Sequence, residues 1–158
     1  MRGPLAPLVE FPIEAWRKVL ATNLDGVFNC LKAQIGEMLC TGGGAIVNAS
    51  SIMGSVAAGN GGTPYIVSKH ALVGLTKAVA LEYAQKGIPI NAIGTDFIDT
   101  PLLSSAGRKI RDAMSTLWPM GRLAPPQEVS ALLVFLLSRE ASFITGSEHL
   151  ADGGYTAQ

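Results

Sequence analysis

The sequence predicts an α/β protein in which a parallel layer of three short strands carries helices on both faces. Short apolar runs at residues 45–47, 88–93 and 145–151 alternate with longer stretches of helical period. No internal repeat, low-complexity tract or linker interrupts the 158 residues, so one domain is expected over 1–158. A chain of this size can bury roughly 70% of its unfolded surface.

The elements follow in order. Residues 1–11 are Pro-rich and form an irregular leader. From Pro12 to about Met38 the residues Trp16, Leu20, Leu24, Val27, Phe28, Leu31 and Ile35 recur at helical period, which predicts one long amphipathic helix. Asn23 interrupts its good helix formers; a polar residue there either bonds a backbone carbonyl or marks a helix irregularity. Ala45, Ile46 and Val47 open a buried strand that closes on the pair Ser50-Ser51. A Gly-rich loop (54–62) leads to Thr63, a plausible N-cap, and Pro64, which suits a first helical turn. The helix then runs to about Lys86, and Gly87 is a natural C-cap. After the strand at 88–93, residues 97–120 carry Phe97, Leu102, Leu103, Met114, Leu117, Trp118 and Met120 in a pattern too irregular for a core helix. Pro125-Pro126-Gln127-Glu128 starts another helix, whose residues 129–137 are apolar almost all round and are expected to be buried on more than one side. Residues 145–151 give the last strand.

Composition excludes several classes. Twelve Lys plus Arg balance twelve Asp plus Glu, which leaves no net field for nucleic acid or an anionic membrane. The longest apolar window, 129–137, is too short to span a bilayer, and the first residues lack the pattern of a signal peptide, so the cytoplasm is the default location. Cys30 and Cys40 are ten apart on one predicted helix, too far along its axis for a bridge, and are expected as buried or half-buried thiols. His70 and His149 stand apart, no Cys/His cluster has ligand spacing, and no metal is expected. His70 is expected at a helix surface or interface.

The chemistry centres on Tyr65 and Lys69, four apart and therefore one turn apart on one helix face. A free phenol has a pKa of about 10, and a cation within a few ångströms favours the phenolate, which brings proton exchange toward neutral pH. Ser51 at the strand end is placed to hydrogen-bond a carbonyl or alcohol oxygen approaching Tyr65. Alone, Tyr-x-x-x-Lys is equally a surface helix pair.

Its company is more specific. Asn23-Leu24-Asp25-Gly26-Val27-Phe28, Ile46-Val47-Asn48-Ala49-Ser50-Ser51, Tyr65-Ile66-Val67-Ser68-Lys69-His70-Ala71, Asn91-Ala92-Ile93 and Asp152-Gly153-Gly154 stand in an order and spacing that resemble the short-chain dehydrogenase/reductase family over nearly the whole chain. The resemblance implies a partial Rossmann-like, three-layer fold with a parallel sheet lacking its first strands, because the family's Gly-rich phosphate loop and Asn-Asn-Ala-Gly turn have no counterpart and Met1 aligns just after that turn. It implies a catalytic set of Asn23, Ser51, Tyr65 and Lys69. Tyr65 would be the acid or base, Ser51 would orient the substrate oxygen with Ser50 as its rival, and Lys69 would hold the nicotinamide ribose. Asn23 would fix a water linked to Lys69. Cofactor contacts fall on Tyr65, Lys69, Ile98 and Thr100, for NAD or NADP. Residues 97–120 resemble the family's substrate lid, which suggests an apolar or ring-bearing alcohol or ketone as the small-molecule substrate, although packing against a neighbouring helix explains the same residues equally well.

Family members commonly pair through the two long helices, here 12–38 and 64–86, so a dimer or tetramer is expected. Two departures stand out. Thr95-Asp96 replaces the family's Pro-Gly, losing a fixed φ and a permissive Gly and adding a carboxylate near the expected nicotinamide pocket. No other glycine cluster replaces the phosphate loop: Gly42–Gly44 precede a strand, and Pro64 occupies the last slot of the pattern begun by Gly59. The leading expectation is therefore an NAD(P)-dependent oxidoreductase. The alternative is a non-catalytic truncated fragment acting only as an oligomerisation module.

Overall fold

The computed structural model describes residues 1–100 and 116–158. The first helical stretch is continuous but not uniform. Helix α1 (Ile13–Leu20) passes through a wider π-wound segment (Ala21–Asp25) into α2 (Gly26–Thr41), so the irregularity expected at Asn23 is a local loosening of the helix. Gly42, at φ 93°, ends it in the left-handed conformation that a side chain would oppose.

Strand β1 (Ile46–Ala49), strand β2 (Ile90–Thr95) and strand β3 (Glu148–Ala151) form one sheet in that order, all parallel, with Ile46 opposite Ile90 and Ala92 opposite Glu148. All three strands begin later than the apolar runs suggest, β1 by one residue. Pro89 has no N–H for the ladder, so β2 starts at Ile90 while Pro89 still accepts from the Ile46 N–H. Gly146, at φ 72°, turns the chain just ahead of β3.

Helix α3 (Thr63–Tyr83) begins one residue earlier than expected. Gly62 is its N-cap and Thr63 already lies inside it. Its buried residues Ser68, Leu72, Val73, Thr76 and Ala80 make one stripe that lies on the sheet. Thr76 Oγ1 donates to Leu72 O and accepts from Asn48 Nδ2, which ties the stripe to β1 by a buried polar pair. Leu31 and Ile35 from α2, Ile46, Ala80, Ile88 and Ile90 close the main core.

Helix α4 (Pro126–Leu136) corrects one expectation. Only Leu136 is buried, while Val134 is 65% exposed and Phe135 and Leu137 are also open. Helix α4 meets the sheet and the short turn Arg139–Ala141, while Val134 and Phe135 stay open to solvent. Cys30 and Cys40 are likewise exposed free thiols rather than buried ones, and Cys30 lines an open groove beside β1. His70 is exposed, its Nδ1 3.1 Å from Ile66 O. No described helix is long and apolar enough to cross a membrane. The lid expected at 97–120 lies largely outside the described residues, Leu102, Leu103 and Met114 among them.

Candidate active site

The end of β1, the turn after it and the first turns of α3 meet at one cleft. Ser51 continues the extended backbone of β1, and its Oγ accepts from the Met53 N–H at 3.3 Å, capping a short turn (Ile52–Gly54). A serine hydroxyl that accepts one bond still has its O–H to donate. Tyr65 and Ser51 both line this cleft of about 390 Å³, with Ser50, Met53, Thr95, Asp96 and Phe97. Lys69 stands one turn on from Tyr65, its Nζ 5.6 Å from the centre of the phenol ring. The same ammonium donates to Ala49 O at 2.8 Å, so β1 fixes where the cation sits. Burial lowers the Lys69 pKa, because the half-buried ammonium has lost part of its hydration.

The other expected residues are placed less simply. Asn23 is buried in the π-wound segment, and its Nδ2 donates to Ser68 Oγ at 3.0 Å and to Met1 O, while the terminal amine donates to Asn23 Oδ1. Asn23 thus braces the residue beside Lys69 and makes no hydrogen bond to Lys69. Ser50 is as buried as Ser51, but its Oγ finds no hydrogen-bond partner. Ile98 lines a second cavity of about 300 Å³ with Trp118, Leu150 and Asp152; this cavity shares Asp96 and Phe97 with the Tyr65 cleft. Thr100 is half-buried and lines neither.

Asp96, standing where the resemblance would put glycine, belongs to a network the sequence did not reveal. Its Oδ2 accepts from Trp118 Nε1 at 2.9 Å across 22 residues, and Trp118 packs edge-on against Phe97 with ring centres 5.8 Å apart. Burial raises the Asp96 pKa, helped by the charge of Asp152 and opposed by the hydrogen bonds from Trp118 and Phe97. Asp152 shows the reverse balance. Burial works to raise its pKa, but bonds from the Thr156 hydroxyl and the N–H groups of Thr156 and Gly154 outweigh it and hold the carboxyl low.

Ser51 in the Tyr65 cleft and Lys69 one helical turn beyond it are donors of the kind the nicotinamide-ribose end of a dinucleotide takes. Lys69 keeps two N–H groups beyond the one given to Ala49, and Ser51 keeps its O–H. The loop at 59–62 does not suit the pyrophosphate, because the leader fills it: Ala6 N–H donates to Gly61 O, and a Cβ on Gly61 would sit 2.8 Å from Ala6 N. Among the described residues no group of three or more His, Cys, Asp or Glu could hold a metal ion.

Comparison with known proteins gives a consistent pattern. A family model described as Enoyl-(Acyl carrier protein) reductase matches residues 3–156. The chain is 45% identical over 157 residues to cyclohexanol dehydrogenase of Acinetobacter sp. (strain SE19), covering 99% of this chain and 61% of that one. It is 42% identical over 154 residues to cis-4-hydroxycyclohexanecarboxylate dehydrogenase of Sinomonas cyclohexanicum, covering 98% and 61%. Among solved structures, ElxO with NADP bound is 34% identical with a TM-score of 0.88, covering 99% of this chain and 65% of that one. The chain thus spans about 61% of the length of the first two relatives.

Proposed function

The chain belongs to the short-chain dehydrogenase/reductase family, and on that premise we propose that it carries the proton-transfer part of an NAD(P)-dependent oxidoreductase site acting on a ring-bearing secondary alcohol or its ketone. The observation that carries this reading is the shared cleft of Ser51 and Tyr65 with the Lys69 ammonium beside the phenol. A bound nicotinamide supplies the acceptor or donor of hydride at the carbinol carbon. In the oxidising direction Tyr65 takes the hydroxyl proton as the C–H bond gives up its electron pair, and in reduction it returns that proton to the new alkoxide oxygen. Ser51 donates its O–H to the substrate oxygen and so fixes the reacting carbon relative to Tyr65. Lys69, anchored on Ala49 O, stabilises negative charge at the phenol and offers its remaining donors to ribose hydroxyls. Asn23 acts on the first turn of α3 through Ser68, whose Oγ donates to Tyr65 O. Ile98 and Thr100 would complete the hold on the cofactor.

The cleft wall, where Met53 and Phe97 present apolar surface, supports this substrate class, as do the ring alcohols in the names of the two curated relatives. Free, exposed Cys30 and Cys40 fit a reducing compartment such as the cytoplasm. Fluorescence titration with NADH and NADPH tests the proposal: saturable binding is expected, and none at millimolar cofactor would overturn it.

A second reading has its own observation. An apolar groove of about 210 Å³ runs between α2 and α3, lined by Leu31, Ile35, Gly36, Val79 and Tyr83, with Phe28 and Leu39 exposed on its rim. A second copy pairing through these helices would cover it, with or without turnover. Sedimentation at rising concentration checks this, and a monomer throughout would reject it.

A further inference from the structure

We propose that Glu148 is a positioning residue for Ser51: its carboxylate on β3 fixes the turn on which the reactive hydroxyl sits. The proposal rests on the assignment of Ser51 above. Glu148 is a charged residue in a strand that pairs with the fully buried centre of the sheet, opposite Ala92. Its Oε2 accepts from Ser55 Oγ at 2.5 Å, a contact spanning 93 residues. Its Oε1 is buried without a hydrogen-bond partner, as is Ser50 Oγ.

Both unpartnered atoms crowd the same glycine. A Cβ on Gly54 would meet Ser50 Oγ at 2.7 Å, Glu148 Oε1 at 2.8 Å and Val73 Cγ2 at 2.9 Å. Across the sheet, a Cβ on Gly94 would meet Leu150 Cδ2 at 2.6 Å, Glu148 Oε1 at 3.1 Å and the Ser51 carbonyl at 3.3 Å. The carboxylate therefore occupies space that side chains at 54 and 94 would need, and it touches the turn from beneath. That turn is held internally by Gly54 N–H on Ser51 O, Ser55 N–H on Ile52 O and Val56 N–H on Ile52 O. Glu148 supplies the one side-chain bond from the sheet to the turn among those described, through Ser55. An apolar side chain would fill the same space without burying a carboxylate oxygen, so packing alone does not account for a glutamate there. Holding the turn, and with it the direction of the Ser51 hydroxyl, does.

Native-state hydrogen exchange on the full chain tests this with Ser55→Ala, which removes the donor without touching the sheet, and Glu148→Gln, whose side-chain carbonyl still accepts from Ser55. Ser55→Ala is expected to speed exchange at Gly54, Ser55 and Val56 about fivefold, the effect of one lost hydrogen bond, and to leave Ala92 in the sheet unchanged. Glu148→Gln is expected to stay near the parent. Equal exchange at these amides in Ser55→Ala and parent would overturn the proposal. In turnover, Ser55→Ala should lower kcat at constant KM and constant pH profile, and should add no further loss to Ser51→Ala; an unchanged kcat would overturn it. If the parent neither binds cofactor nor turns over substrate, the function proposed above fails, while the exchange result still decides whether Glu148 holds the turn.

Discussion

The two faces of the sheet are finished to different degrees. On the α3 face, Leu72, Thr76 and Ala80 from the helix close over Asn48, Ile90 and Ala92, all buried, and even the polar atoms of Asn48 and Thr76 are paired. On the α4 side, only Leu136 is buried from its helix, Phe143 is fully exposed, and Val47 and Ala49 on the edge strand β1 remain accessible beside an open groove. Ser51, Tyr65 and Lys69 are all built on the α3 side and on the turn that packs against it. The side chains proposed for the chemistry thus sit on the better packed side, as a site that depends on fixed distances requires.

The sharpest way to break this comparison is at Lys69. Lys69→Met keeps the length of the side chain and removes the charge, so turnover should fall on the order of 10²-fold. Thermal stability should hold or rise, because the half-buried ammonium is disfavoured by desolvation. Initial rates and a melting curve on the same samples check both. A paired truncation then contrasts the faces directly. Ile90→Ala, at the fully buried centre, should cost about 2–5 kcal/mol. Val134→Ala, on the open side of α4, should change stability by less than about 0.5 kcal/mol. Urea unfolding reads both, and equal losses would erase the distinction.

The two aspartates that line the second cavity should respond oppositely to acid. The folded pKa of Asp96 is raised, so its charge opposes folding above that value, and the opposition vanishes as pH falls toward the unfolded value of about 3.9. The parent should therefore gain stability relative to Asp96→Asn on acidification. Asp152, held low by its hydrogen bonds, stabilises the fold above about pH 3.9, and that contribution is lost as pH falls through its folded value. The parent should lose its advantage over Asp152→Asn over that lower range. Unfolding midpoints from pH 7 downward test both signs. The smallest effect is expected at Phe143→Ser, which should leave stability within about 0.5 kcal/mol and weaken self-association if the α4 side meets another surface.

Local information carried much of the fold. The period of Trp16 to Ile35 marked the first helix and Asn23 its irregular turn, the spacing of Tyr65 and Lys69 put them on one face, and Gly87 marked the end of the helical run, closing a short 3-10 turn after α3. What the sequence hid is decided by distant partners. The run 129–137 is apolar enough for a core, yet Val134, Phe135 and Leu137 are exposed. The exposure of Cys30 follows from the open groove beside the edge strand β1, which no local pattern records. Asp96 was visible as an odd residue, but its bond to Trp118 was not, nor was the reach of Glu148 to Ser55. Such contacts join residues 22 and 93 apart, and no local pattern records them.

The most direct measurement is the rate of oxidation of a panel of ring-bearing secondary alcohols with NAD⁺ and NADP⁺ by the parent, Tyr65→Phe, Ser51→Ala and the double variant. If one cleft performs the proton transfer, Tyr65→Phe alone should cost roughly 10²–10⁴-fold, and the double variant should be no slower than Tyr65→Phe by more than a few-fold. A parent without turnover, or a Tyr65→Phe variant working at the parental rate, would contradict the account.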